Sequence, residues 1–118
     1  MKVAHAAVVL AAGGSTRLGR PKQLLTRDGE TLVHRAARLA IATGATRVLV
    51  VTGAQAEDVA GAVSDLPVEC LVNAQWHEGL AGSVRIAAEA LNHPTGATLL
   101  LACDQLALDA AHLQTLLE

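Results

Sequence analysis

The sequence predicts an α/β fold: a mainly parallel sheet with helices packed on both faces. Two patterns carry the prediction. Apolar runs at Ala6–Ala11, Arg47–Val51, Val68–Val72 and Thr98–Ala102 are short and nearly continuous, as strands buried on both faces are. Helical periodicity fills the intervals between them, and strands that alternate with helices imply parallel pairing through right-handed crossovers. Composition agrees with a packed domain. The chain has 118 residues, 52% apolar and 17% charged, with Trp76 as its only residue of the Phe/Trp/Tyr set. A chain of this size buries roughly two-thirds of its unfolded surface, so Ala, Val and Leu must fill the core.

Each element has its own signal. The start, "MKVAHAAVVLAAGG", imitates a secretory leader, but the apolar run is short, His5 interrupts its approach and Arg17 and Arg20 follow closely. The same residues make a good first strand. Thr31–Thr43 places Leu32, Ala36, Leu39 and Ala40 on one helical face and stops at Gly44. Gln55–Val63 is a second helix. Ser83–Leu91 is a third, with Val84, Ala87, Ala88 and Leu91 in register. A further helix starts near Asp109, a good N-cap. No run reaches the roughly 18 apolar residues of a membrane span, and the chain reads as cytoplasmic.

If the first three strands are laid down in one direction and the fourth returns beside the first, the sheet order is 3-2-1-4. Ligands in such sheets bind beyond the carboxyl ends of the strands where the order reverses. The loops at that crevice would be 12–22 and 103–106, so a glycine-rich cationic loop and Asp104 should face each other.

That loop, "AGGSTRLGRPK", has the chemistry of an anion cradle. Gly13 and Gly14 let a ligand approach the main chain, and successive N–H groups in such a turn form a concave anion site. Ser15 and Thr16 add hydroxyls, and Arg17 and Lys22 add charged donors suited to phosphate oxygens. Walker A spacing fits Gly14 and Gly19 but fails at Arg20 and Pro21. The dinucleotide fingerprint fails because Ser15 stands where its second glycine belongs.

The stretch "LAAGGSTRLGRPKQLL" resembles the L-A-A-G-x-S-x-R-[ML]-G-x-x-K signature of the MobA-like NTP transferases, and within them the molybdenum cofactor cytidylyltransferase branch. "NAQWHEGLAGSVR" (Asn73–Arg85) resembles that branch's N-x-x-[WY]-x-x-G-x-x-x-S segment, and "LLLACDQ" (Leu99–Gln105) resembles its metal-binding CDQP. The resemblance implies a Rossmann-like, three-layer nucleotidyltransferase fold. It also implies transfer of CMP from CTP to a molybdopterin-type acceptor with Mg²⁺, in the service of a molybdoenzyme or its assembly factor. Catalytic charge would come from Arg17 and Lys22, and Asp104 would hold the metal. The nucleotide would be lined by Leu10, Ala11, Ala12, Gly13, Gly14, Ser15, the Thr52–Gly53 loop, Asn73 and Ser83. "LAAG" points to cytidine, where a guanine-using enzyme usually shows "LAGG". Ser83 is either a phosphate-orienting hydroxyl at a helix start or an N-cap, and Trp76 either flanks the acceptor or covers the sheet edge.

The residue types support what the resemblance implies, because nucleotidyl transfer needs charge neutralised and phosphorus held in line more than it needs a protein nucleophile. A carboxylate ending a buried strand suits Mg²⁺, which takes one or two carboxylates plus phosphate oxygens. Leu106 departs from the usual proline. Members of the family run to nearly twice this length, so the expectation for residues 1–118 is the N-terminal NTP-binding portion of a truncated nucleotidyltransferase. Strand four would then be an exposed edge, open to pairing in a dimer. The alternatives are a GTP-using guanylyltransferase, a methylerythritol phosphate cytidylyltransferase or a non-catalytic nucleotide-binding remnant.

Other features exclude more than they assign. A formal net charge of −2 argues against nucleic acid. Cys70 and Cys103 read as small hydrophobes, and without a CxxC pair no zinc or redox site is expected. His5, His34, His77, His93 and His112 lack metal spacing, and Glu57, Asp58, Asp65 and Glu89 read as solvated helix faces.

Overall fold

The computed structural model describes residues 5–12, 16–17, 20–21, 24–78, 80–91 and 97–102. Its centre is a four-stranded parallel sheet of β1 (His5–Ala11), β6 (Arg47–Thr52), β7 (Glu69–Val72) and β8 (Ala97–Ala102), in the order β7-β6-β1-β8. This is the predicted 3-2-1-4. Two small antiparallel ribbons lie outside it: β2 (Thr16–Arg17) with β3 (Arg20–Pro21), and β4 (Thr26–Arg27) with β5 (Glu30–Thr31).

The connections explain why helices cover both faces. From β1 the chain passes through α1 (Leu32–Ala42) to β6, and through α2 (Ala56–Ala62) to β7, always moving the same way across the sheet. It then returns through α3 (Leu80–Leu91) to β8 on the far side of β1. A right-handed crossover that reverses direction must run over the opposite face. The packing shows this. Ala7, Val9, Val48, Val50 and Leu101 meet α1 and α2, whereas Val8, Leu49 and Val51 meet Ala87 of α3.

The helix boundaries follow local chemistry. Thr31 caps α1, its hydroxyl accepting from the His34 N–H at 3.2 Å, and Gly44 closes the helix with a positive φ of 83°. The buried face of α1 is wider than the four predicted positions and adds Val33 and Ala37. Asp28 and Gly29, with φ of 55° and 81°, turn the β4–β5 ribbon. An Asp-Gly pair supplies the two positive φ values that a tight hairpin needs. A buried staple ties the end of α1 to the start of β1. The Thr43 hydroxyl donates to Ala40 O at 2.6 Å and accepts from His5 Nε2 at 2.7 Å, which places the ring proton on Nε2.

Three predicted features need correction. Helix α3 begins at Leu80, three residues before the expected Ser83, and its inward face runs through Ser83 and Ala87 while Ala88 is exposed. Strand β7 is not buried on both faces. It lies at the edge, with Val72 61% exposed and Cys70 exposed, so Cys70 is not a core hydrophobe. Asp65 stands in the turn after α2 rather than on a helix, and it accepts from His34 Nε2 at 3.0 Å. Glu57, Asp58 and Glu89 are exposed as predicted. The helix expected near Asp109, Cys103, His93 and His112 lie outside the described residues. Among the described residues no helix is long and apolar enough to cross a membrane.

The outer side of α1 carries a charge network. Arg38 donates to both Glu30 oxygens at 2.9 Å, and His34 Nδ1 stands 2.5 Å from Glu30 Oε2. Arg38, with help from His34, draws the Glu30 carboxyl down to about 2. Hydrogen bonds to Asp65 and then Glu30 raise His34 above its ordinary value. The lowered Glu30 contributes stability above its ordinary 4.5, and that is lost as pH falls toward 2. The raised His34 contributes below its ordinary 6.5, and that is lost as pH rises through its folded value. Both are therefore in force between 4.5 and 6.5. Glu30→Gln is expected to cost on the order of 1 kcal/mol in that window, the size of a partly exposed networked pair. Urea melts of both proteins at three pH values should show the difference shrinking on either side.

Candidate functional site

The register of the sheet builds the site. Ala11, Thr52 and Val72 lie side by side across β1, β6 and β7, so the next residues, Ala12, Gly53 and Asn73, leave three adjacent strands at one level. This level is the carboxyl edge, and β1 is where the strand order reverses, with β6 on one side and β8 on the other. Leu10 lies opposite Ala102 of β8. Hydrogen bonds stitch the exits together: Asn73 N–H donates to Thr52 O at 2.6 Å and Ala54 N–H to Ala12 O at 3.4 Å. Thr52 is fully buried and spends its hydroxyl on Leu71 O at 3.1 Å.

A short 3₁₀ turn, Trp76–Glu78, follows Asn73 and folds back over this edge. The Trp76 side chain packs on the cluster of Val8, Ala12, Leu49, Val51 and Ala87, and it lies directly on Gly53. A Cβ added at Gly53 would stand 2.5 Å from Trp76 Cβ, 2.7 Å from Trp76 Cγ and 2.8 Å from Ala12 O. Trp76 Cβ and Cγ together with Ala12 O therefore favour glycine at position 53. Asn73 and Ser83 sit beneath this turn, 3% and 2% exposed. Asn73 Nδ2 donates to Ser83 Oγ at 3.0 Å, and Asn73 Oδ1 accepts from Gln75 N–H at 3.0 Å. Gln55, at the mouth of the loop after β6, holds a left-handed φ of 58° without a side-chain capping bond, a strained backbone for a residue with a Cβ.

Among the residues expected at the site, the structure brings together Leu10, Ala11, Ala12, Gly53, Asn73 and Ser83. Ser83 is the fourth residue of α3 and neither an N-cap nor at the helix start. Trp76 covers the carboxyl edge beside these residues. Arg17 lies in the β2–β3 ribbon, paired with Arg20, where an irregular loop was expected. Gly13, Gly14, Ser15, Lys22 and Asp104 lie outside the described residues. Among the described residues no group of three or more His, Cys, Asp or Glu side chains could hold a metal ion. The packing of Trp76 against Gly53 is a feature that the motifs alone do not mark. Its signal was available in the pairing of the one large aromatic with a glycine that ends an apolar strand.

A parallel sheet of order β7-β6-β1-β8, covered on both faces and reversing at β1, is a Rossmann-like α/β fold of the kind nucleotidyltransferases use. Residues 7–118 match the MobA-like NTP transferase domain, and the chain belongs to that family. Nicotine blue oxidoreductase of Paenarthrobacter nicotinovorans is 39% identical over 83% of this chain and 48% of its own length. A nucleotidyl transferase from Methanothermobacter superposes with a TM-score of 0.82 at 30% identity, over 95% of this chain and 56% of that one. Rv0371c from Mycobacterium tuberculosis H37Rv superposes with a TM-score of 0.79 at 32% identity, over 98% and 59%. Its manganese complex also matches, with a TM-score of 0.73 at 28% identity, over 96% of this chain and 57% of that one. The chain thus spans about half the length of these relatives.

Proposed function

We propose that the chain is the NTP-binding portion of a divalent-metal-dependent nucleotidyltransferase that passes CMP from CTP to a molybdopterin-type acceptor. The observation that carries this reading is the convergence of Ala12, Gly53 and Asn73 at one level, at the point where the strand order reverses. In the transfer, a phosphate oxygen of the acceptor attacks the α-phosphorus of CTP. The bond to the β-phosphate bridging oxygen breaks and pyrophosphate departs. Gly13, Gly14 and Ser15 would hold phosphate oxygens through main-chain N–H groups and a hydroxyl. Arg17 and Lys22 would neutralise charge on the α-phosphoryl group and the leaving pyrophosphate. Asp104 follows two residues after β8, which runs beside β1 toward the same edge, and it would hold Mg²⁺, which supplies further charge neutralisation when bound.

Calorimetric titration with CTP and GTP, with and without Mg²⁺, tests the reading. The expected result is saturable, Mg²⁺-dependent binding that prefers CTP and falls at least about tenfold in Asp104→Ala. A preference for GTP keeps the class and changes the base, and absence of binding by either nucleotide overturns it. A second reading draws on the 39%-identical relative named an oxidoreductase: the site holds a nucleotide without transferring it. Nucleotide binding without pyrophosphate release, in the presence of a molybdopterin acceptor, favours that reading.

A further inference from the structure

The family resemblance assigns Asn73 and Ser83 to the nucleotide, but their burial assigns them elsewhere. At 3% and 2% exposure neither side chain reaches the crevice, and their polar atoms are committed to each other and to Gln75 N–H. What they hold is the turn that carries Trp76. The Trp76 N–H donates to Asn73 O at 3.2 Å, Asn73 is anchored on Thr52 O, and Ser83 pins the Asn73 amide from α3. The space on the Cβ side of Gly53 is likewise taken, because Trp76 already fills it. A ligand arriving at this end of the crevice therefore meets the partly buried indole beside Gly53.

Resting on the nucleotide-site reading above, we propose that Trp76 is the wall against which the nucleobase lies, and that Asn73 and Ser83 are positioning residues acting through it. An indole offers a flat apolar face, and every nucleobase has a π face that stacks on such a surface. The wall therefore selects for the presence of a base, and the choice between bases is made by other groups.

The chain's composition supplies the test. Trp76 is the sole tryptophan and there is no tyrosine or phenylalanine, so intrinsic fluorescence reports this residue alone. The full chain is titrated with CTP and with inorganic tripolyphosphate, each with Mg²⁺, with binding followed by calorimetry and Trp76 exposure by acrylamide quenching. CTP is expected to lower the quenching constant about twofold by covering the indole, whereas tripolyphosphate binds and leaves it unchanged. In Ser83→Ala the buried Asn73 amide loses its partner. Trp76 emission is expected to shift to the red, and CTP affinity to fall about tenfold. Equal protection by tripolyphosphate, or calorimetric binding of CTP with unaltered quenching, overturns the wall while the nucleotide reading stands. Unaltered emission and CTP affinity in Ser83→Ala overturn the positioning role. Absence of calorimetric binding by either ligand overturns the nucleotide reading, and this proposal with it.

Discussion

Leu49→Ala is expected to lower folding stability by ~3–5 kcal/mol, the upper part of the range for a leucine truncated in a core. Leu49 is fully buried in β6, one of the two inner strands of the sheet, and faces α3. The buried residues around it are Val8, Ala12, Val51 and Ala87, all smaller than leucine. Short side chains on a hydrogen-bonded sheet cannot lean far into a vacated volume, so most of the cavity persists and the cost stays high. The partly buried Leu10, Leu71, Leu91 and Trp76 border the same cluster, so a cost at the low end of the range would mean that one of them leans into the gap. Folding stability of about 5–15 kcal/mol leaves little reserve after such a loss. Val72→Ala supplies the contrast. Val72 is 61% exposed on the edge strand, and its truncation should fall within ~0.5 kcal/mol of neutral. Urea unfolding of the three proteins, followed by circular dichroism, measures both. A Leu49→Ala cost below ~1.5 kcal/mol would mean that α3 settles onto the sheet and closes the cavity.

The same packing explains what the sequence could and could not disclose. Strand positions and order were legible because fully buried parallel strands leave continuous apolar runs, and crossover handedness then allows few arrangements. The edge character of β7 was not. "VECLV" reads as apolar as "RVLVV", and only the partner count separates an inner strand from an edge one. Helix α3 misled for a related reason. In "GLAGSVRIAAEAL" nearly every position is small or apolar, so several faces score alike, and the face is decided by Ser83 meeting Asn73, a contact across 10 residues. The charge network hid likewise, because Asp65 reaches His34 across 31 residues. At the candidate site, the strand ends marked in the sequence do meet, since Ala12, Gly53 and Asn73 leave the sheet at one level. The sequence could not tell a polar side chain that faces a ligand from one that is spent holding a turn. That distinction rests on burial, which in turn depends on Trp76 lying over Gly53.

Two glycine-to-alanine substitutions are expected to shift stability in opposite directions, which isolates that contact. Gly61 lies inside α2 with nothing within 4 Å of an added Cβ, so Gly61→Ala should stabilise by ~0.5–1 kcal/mol through backbone entropy and helix propensity. Gly53→Ala should destabilise by ~2–3 kcal/mol, the upper part of the cost of overpacking. The atoms in the way decide the sign. They are Trp76 Cβ at 2.5 Å and Ala12 O at 2.8 Å, and no side-chain rotation moves either one. Relief requires a shift of backbone: either the turn after β7, which Asn73 fastens to Thr52 and Ser83, or the end of β1, where Ala11 pairs with Thr52 and Leu10 with both Val51 and Ala102. The weaker fastening is the turn. Trp76 should therefore lift from the sheet, and its emission should move to the red in the folded protein while circular dichroism stays unchanged. If Gly53→Ala matches the parent in both stability and emission, the indole does not rest on residue 53, and the edge of the site is open to a ligand's direct approach to the Gly53 backbone.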